Sequence, residues 1–111
     1  MTILNQSRDL TKEETYFLSK AQNIRKMSSI KGQTVDIMIW IMYEDVNQKG
    51  EPQTIFSFMT PEREVYATNS QSFIRSFNDI LDCFEKEDIK RIQVVPGLSN
   101  AGREFLTCVY A

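Results

Sequence analysis

The clearest pattern of hydrophobic and polar positions covers residues 34–45. The odd positions from Val35 to Tyr43 are β-branched or aromatic and form one apolar face of an extended chain. The even positions are polar at both ends and carry, between those ends, Met38, Trp40 and Met42. This alternation predicts a β-strand, and apolar residues on both faces are typical of a strand that bends and serves two sheets.

Four further segments have the composition of strands, with turn residues between them. They are residues 51–60, 64–68, 89–95 and 103–110. A helix is predicted over residues 69–84, where Thr68 or Ser70 can cap the first turn and one face is apolar. That face consists of Phe73, Phe77, Ile80, Leu81 and Phe84.

The predicted element order is therefore β-β-β-α-β-β, with one helix between the third and fourth strands. This is the order of the OB-fold, a small five-stranded Greek-key barrel that is partly open. Other folds share the order. We expect a mainly β protein whose strands form an OB-fold-like barrel.

The N-terminal residues contain one helix signal. Thr11 and Glu14 have the spacing of a capping box, which predicts a short helix that ends at about Lys20. A strand over residues 16–18 fits the same segment, because these three residues are aromatic or apolar. Residues 1–10 are predicted to be a mobile polar arm. The expected organisation is one domain over residues 1–111, with an N-terminal extension at 1–19 and the barrel at 20–110.

Composition excludes several classes of protein. The chain has 111 residues and a net charge of −2, which excludes a histone-like overall positive charge. It has no histidine, which excludes imidazole catalysis and histidine-ligated zinc. Cys83 and Cys108 are too few for a disulfide scaffold, so we expect buried reduced thiols. Without a signal pattern or a membrane-length apolar run, the sequence predicts a cytoplasmic protein that does not bind a membrane.

Several segments resemble the small single-stranded-DNA-binding proteins of tailed phages that replicate by protein priming. The resemblance covers about residues 20–110, and the segments that carry it are Asp36–Tyr43, Gln53–Phe56, Glu64–Thr68 and Ile92–Phe105. It implies an OB-fold, single-stranded DNA as the partner and the host cytoplasm as the location. It also implies that Tyr43 and Tyr66, which match tyrosines of that family, stack on bases.

Binding of single strands needs cations along the phosphate path and accessible aromatic faces for the bases. Residues 15–35 contain four basic side chains and no acidic one. The candidate cations are Arg25, Lys26, Lys31, Lys49, Arg63, Arg91 and Arg103. The candidate stacking rings are Trp40, Tyr43, Phe56, Phe58 and Tyr66.

The rings differ in how strongly the pattern favours binding. Tyr66 is the sharpest candidate, because its neighbours on the same strand face, Glu64 and Thr68, are polar. A surface tyrosine without a ligand is the alternative. The methionines that flank Trp40 on its face favour a core position. Alternation places Tyr43 on the β-branched face, which favours the core, whereas the family resemblance favours stacking.

The sequence therefore predicts non-sequence-specific binding of single-stranded DNA, which would protect unpaired strands during phage replication or recombination. No cofactor, metal site or catalytic constellation is expected, since no glycine-rich phosphate loop leads from a strand into a helix. A homo-oligomer and replication proteins are further candidate partners. The competing hypothesis is a protein-interaction module that binds a host protein through an exposed apolar face bearing Phe56 and Phe58.

Overall fold

A computed structural model describes all residues from 1 to 111 and shows a mainly β protein with eight strands and two α-helices. The strands are β1 (Thr2–Gln6), β2 (Arg25–Lys26), β3 (Thr34–Asp36), β4 (Ile39–Val46), β5 (Pro52–Met59), β6 (Val65–Thr68), β7 (Arg91–Leu98) and β8 (Glu104–Tyr110). The helices are α1 (Lys12–Ser19) and α2 (Gln71–Leu81), and single 3₁₀ turns cover Met27–Ile30 and Lys86–Asp88. The predicted mainly β class is confirmed, and the short helix that the capping box predicts adds a second helix to the one expected between the third and fourth strands.

The strands form two sheets that do not close into a barrel. The five-stranded sheet has the order β1-β4-β5-β6-β2, and the three-stranded sheet has the order β3-β7-β8. β6 pairs with the short parallel strand β2 instead of β8. Serines of α2 bond to the backbone of β8: the Ser72 hydroxyl donates to the Leu106 carbonyl over 2.7 Å, and Ser76 Oγ accepts from the Cys108 amide over 2.9 Å. Because β6 and β8 do not pair, the strands do not close into the five-stranded barrel that the element order predicts.

The long alternating segment is divided between the two sheets, as its apolar faces predict. β3 pairs with β7, β4 pairs with β5, and Ile37 and Met38 lie between the two strands. The antiparallel meander β4-β5-β6 follows directly. One continuous stretch of sequence thus links both sheets.

The N-terminal residues are part of the fold. β1 pairs with β4, and the Ser7 amide then donates to the Trp40 carbonyl over 3.0 Å. The prediction of a mobile arm is wrong over Thr2–Gln6, because these backbone groups pair with the otherwise open edge of β4. The capping box is present at the start of α1, where Thr11 Oγ1 accepts from the Glu14 amide over 3.1 Å. The segment after it is helical and not a strand.

The larger core fills the space between the two sheets and α2. Ser70 caps α2, and the apolar face of the helix packs against β4 and β5. The ring centroid of Phe77 lies 4.3 Å from that of Phe56 and 4.9 Å from that of Trp40. The helix ends at Leu81, before the predicted Phe84.

A smaller core covers the opposite face of the five-stranded sheet. Leu18 of α1 is fully buried there, against a group of side chains from β4, β5 and β6. The group consists of Ile39, Ile41, Tyr43, Met59 and Val65. Both faces of the central strands are therefore covered, which alternation in β5 alone does not reveal.

The two cysteines differ in exposure. Cys108 is buried, and burial raises the pKa of its thiol to about 11. Cys83 is exposed, because it follows the end of α2 and lies outside the apolar face of the helix. The prediction of buried thiols is confirmed for Cys108 and wrong for Cys83. Neither helix is long and apolar enough to cross a lipid bilayer.

Candidate functional site

The five rings predicted to stack on bases are all buried. Trp40, Phe56 and Phe58 are 0% exposed, Tyr43 is 4% exposed and Tyr66 is 6% exposed. A base can stack only on a ring whose face is open, so these side chains contribute to the core in this structure. Burial of Phe56 and Phe58 also removes the apolar sheet face on which the protein-interaction hypothesis depended.

Tyr43 and Tyr66 lie on opposite faces of the five-stranded sheet. Tyr43 stands opposite Ile55 on β5 and belongs to the smaller core. Tyr66 stands opposite Phe58 and belongs to the larger core. The two tyrosines therefore do not form one stacking platform, and the expected pairing of these rings at a common site is wrong.

The polar atoms of the buried rings have partners within the protein. The Trp40 indole nitrogen donates to the Lys86 carbonyl over 3.1 Å, and the Tyr66 hydroxyl donates to the Glu64 carboxylate over 2.5 Å. This hydrogen bond, together with burial, raises the pKa of Tyr66. The pKa of Tyr43 is also raised, chiefly by burial. These contacts are those of structural side chains.

The cleft beside Tyr66 is acidic. It has a volume of about 270 Å³, and we call it the acidic cleft; its lining includes Asp36, Glu62, Glu64, Thr60 and Tyr66. Arg91 pairs with Asp36 over 2.8 Å, and Arg25 pairs with Glu64 over 3.1 Å. Glu62 has no ion-pair partner. With three carboxylates and the two arginines that pair with them, the cleft has a formal charge of −1, so the environment of Tyr66 disfavours a polyanion.

The seven predicted cations are spread over the molecule. Arg25 and Arg91 are held in the ion pairs of the acidic cleft. Three others lie in turns: Lys49 in the β4–β5 turn, Arg63 in the β5–β6 turn and Arg103 in the β7–β8 turn. Only Lys26 and Lys31 line a common groove.

This groove lies where β6 and β8 are not paired, and we call it the polar groove. It consists of three adjoining cavities of about 450, 370 and 670 Å³. The first and second share Ser28 and Leu106, and the second and third share Lys31 and Glu104. The polar side chains that line it are Lys26, Ser28, Lys31, Gln53, Thr68, Asn69, Ser70 and Glu104. The rest of its lining is Ile55, Ala67, Pro96, Gly97, Leu98, Phe105 and Leu106.

The polar groove carries two cations and one carboxylate. Lys31 Nζ lies 2.9 Å from Glu104 Oε1, and both side chains are about half exposed. Lys26 has no ion pair and is free to hold an anion. Asn69 donates to Gln53 over 3.1 Å, and both amides keep further donor and acceptor capacity. Chemically, the groove offers cations, hydroxyls and amides beside an apolar floor.

Sequence reasoning missed the hydroxyl and amide residues of this groove and the aromatic residue Phe105. Alternation along β8 was the available signal, because Leu106 and Cys108 point into the core and leave Phe105 on the other face. Phe105 is 38% exposed. The hydroxyls and amides gave no signal, since they come together only through the approach of β6 and β8.

Comparison with protein-family models, with curated proteins and with solved structures gave no significant match to this chain.

Proposed function

We propose that this protein binds single-stranded DNA along the polar groove, without sequence preference. The observation that carries the proposal is the chemistry of the groove: two lysines and several neutral hydrogen-bonding side chains, with Glu104 as the single carboxylate. Backbone phosphates would bind to Lys26 and Lys31. Hydroxyls and amides would hydrogen-bond to base edges.

The connectivity supports an OB-fold-like reading of the architecture as part of the same proposal. The meander β4-β5-β6, the helix α2 and the hairpin β7-β8 follow in the OB order, and β3 pairs with β7 as the first strand of such a fold pairs with the fourth. β1, α1 and β2 are additions, and the fold is open between β6 and β8. Oligonucleotide binding is common to this architecture, although a fold by itself does not determine a function.

The overall charge limits the strength of binding. The net charge is −2, so long-range attraction to DNA is absent and affinity depends on local contacts in the groove. Each lysine–phosphate contact in a single-stranded complex contributes about 0.7 to the negative slope of log K against log salt. We therefore expect moderate affinity that falls as salt increases.

The test is a titration of fluorescently labelled oligo(dT) followed by anisotropy, at low salt and over a salt series. Binding with a negative salt slope, and weaker binding to a duplex of equal length, is the expected result. The absence of binding to oligo(dT) at low salt would overturn the proposal. Intrinsic tryptophan emission is a poor readout for the native chain, because Trp40 is fully buried.

A further inference from the structure

Phe105 lies across a glycine that the backbone does not need for its conformation. Gly97 stands opposite Phe105 in the β7–β8 hairpin, and it is not among the glycines with positive φ. A Cβ placed on Gly97 would lie 2.5 Å from Cζ and 2.8 Å from Cε2 of Phe105. A side chain at this position would therefore displace the ring, so the glycine provides the space in which the ring lies.

Phe105 is also the one exposed aromatic residue without an aromatic neighbour. Tyr16 and Phe17 form an edge-to-face pair, and Phe84 and Tyr110 stack with their centroids 4.0 Å apart. The ring of Phe105 rests on a glycine backbone and remains 38% exposed. Its open surface is available to a planar partner.

The charges around Phe105 suit a phosphate backbone. Arg103, which has no ion pair, lies in the β7–β8 turn two residues before Phe105. Glu104 is on the strand face opposite to Phe105, where it pairs with Lys31. Phe105 also lines the cavity that contains Lys31, so the ring stands at the rim of the polar groove.

From these observations we infer that Phe105 stacks on a DNA base at the rim of the polar groove, with Arg103 beside it for the adjoining phosphate. This inference rests on the proposed function and extends the binding path from the groove onto the β7–β8 hairpin. The aromatic contact would be sequence-tolerant, since every base has a π face.

The direct test introduces a reporter at the site. Phe105→Trp should show quenching of the new tryptophan when oligo(dT) is added, while Trp40 stays buried and contributes a constant background. Phe84→Trp is the matched control, because Phe84 is equally exposed, at 38%. Phe84 stacks on Tyr110, which lies at the end of β8 about 20 Å from Glu104 at its start. Quenching at 105 and not at 84 is the expected result.

A second variant separates stacking from packing. Phe105→Leu keeps an apolar side chain over Gly97 and should weaken oligo(dT) binding by about 5-fold to about 150-fold, with an unchanged salt slope because no phosphate contact is lost. Native circular dichroism would show that the variant folds. Suppose that the native protein binds oligo(dT), that Phe105→Trp is quenched no more than Phe84→Trp, and that Phe105→Leu binds normally. The inference about Phe105 is then wrong, and the proposed function stands. Failure of the native protein to bind would overturn both.

Discussion

The acidic cleft and the polar groove lie at opposite ends of the short strand β6, yet they differ in charge. The acidic cleft, at the start of the strand, is lined by three carboxylates, two of which pair with Arg25 and Arg91. The polar groove, at its end, is lined by two lysines and one carboxylate. With four residues in β6, the two ends are about 10 Å apart. That is close to the Debye length at about 0.1 M salt, so the charges of one cleft are partly screened from the other.

This difference shows why aromatic content is a poor guide to a binding surface in a small β protein. The acidic cleft has a buried tyrosine, and the hydroxyl of that tyrosine is bonded to a carboxylate. The polar groove also has one aromatic residue, Phe105, but it has more open hydrogen-bonding groups. Accessible polar chemistry and local charge decide which of the two accepts a polyanion.

Removal of both groove lysines should have the largest effect on DNA binding. If Lys26 and Lys31 each contact one phosphate, Lys26→Ala combined with Lys31→Ala lowers the salt slope by about 1.4. If the native protein and the double variant have equal affinities at about 1 M salt, the variant binds about 60-fold more weakly than the native protein at about 0.05 M salt. Anisotropy titrations with oligo(dT) over a salt series measure both quantities.

The matched control removes two lysines outside the groove. Lys86→Ala combined with Lys90→Ala changes the net charge by the same amount, and both side chains are exposed. We expect a salt slope close to that of the native protein. Equal losses in the two double variants would mean that overall charge, and not the polar groove, controls binding.

Local patterns in the sequence predict much of the fold. The alternation in residues 34–45, the helical spacing of Phe73 and Phe77, and the capping box at Thr11 all correspond to elements of the structure. Each of these signals depends on neighbours within a few residues. The closure of the barrel depends on whether β6 meets β8, which are far apart in sequence, and no local pattern reports that pairing.

The site was harder to predict than the fold, because exposure depends on what covers a strand. Tyr66 alternates with Val65 as a surface residue would, but Tyr66 is buried in the larger core on one face of β6 and Val65 in the smaller core on the other. Lys26 and Lys31, which the acid-free segment predicts as binding cations, do line one groove. Charge runs along the chain therefore indicated part of the groove, whereas alternation could not identify the exposed rings.

A substitution in the acidic cleft should change stability and leave DNA binding intact. Tyr66→Phe removes the hydrogen bond to Glu64 and should lower the free energy of unfolding by about 0.5–1.5 kcal/mol, as measured by urea denaturation near pH 7. The raised pKa of Tyr66 means that the native phenol stabilises the fold fully below its unfolded pKa near 10 and loses this contribution as pH rises further. The difference between native and Tyr66→Phe proteins should therefore shrink at alkaline pH. Weaker oligo(dT) binding by this variant would show that Tyr66 is part of the DNA-binding site.

The smallest expected effect comes from the one carboxylate of the polar groove. A phosphate must compete with Glu104 for Lys31, because the two side chains lie 2.9 Å apart. Glu104→Gln should release the lysine and tighten oligo(dT) binding by up to about fivefold, since exposed ion pairs are worth at most about 1 kcal/mol. Glu62→Gln makes the same change of net charge in the acidic cleft, and at about 0.1 M salt it should have a much smaller effect. Equal tightening by both variants would show that the two clefts are not electrostatically separate, and that the contrast between them does not determine where DNA binds.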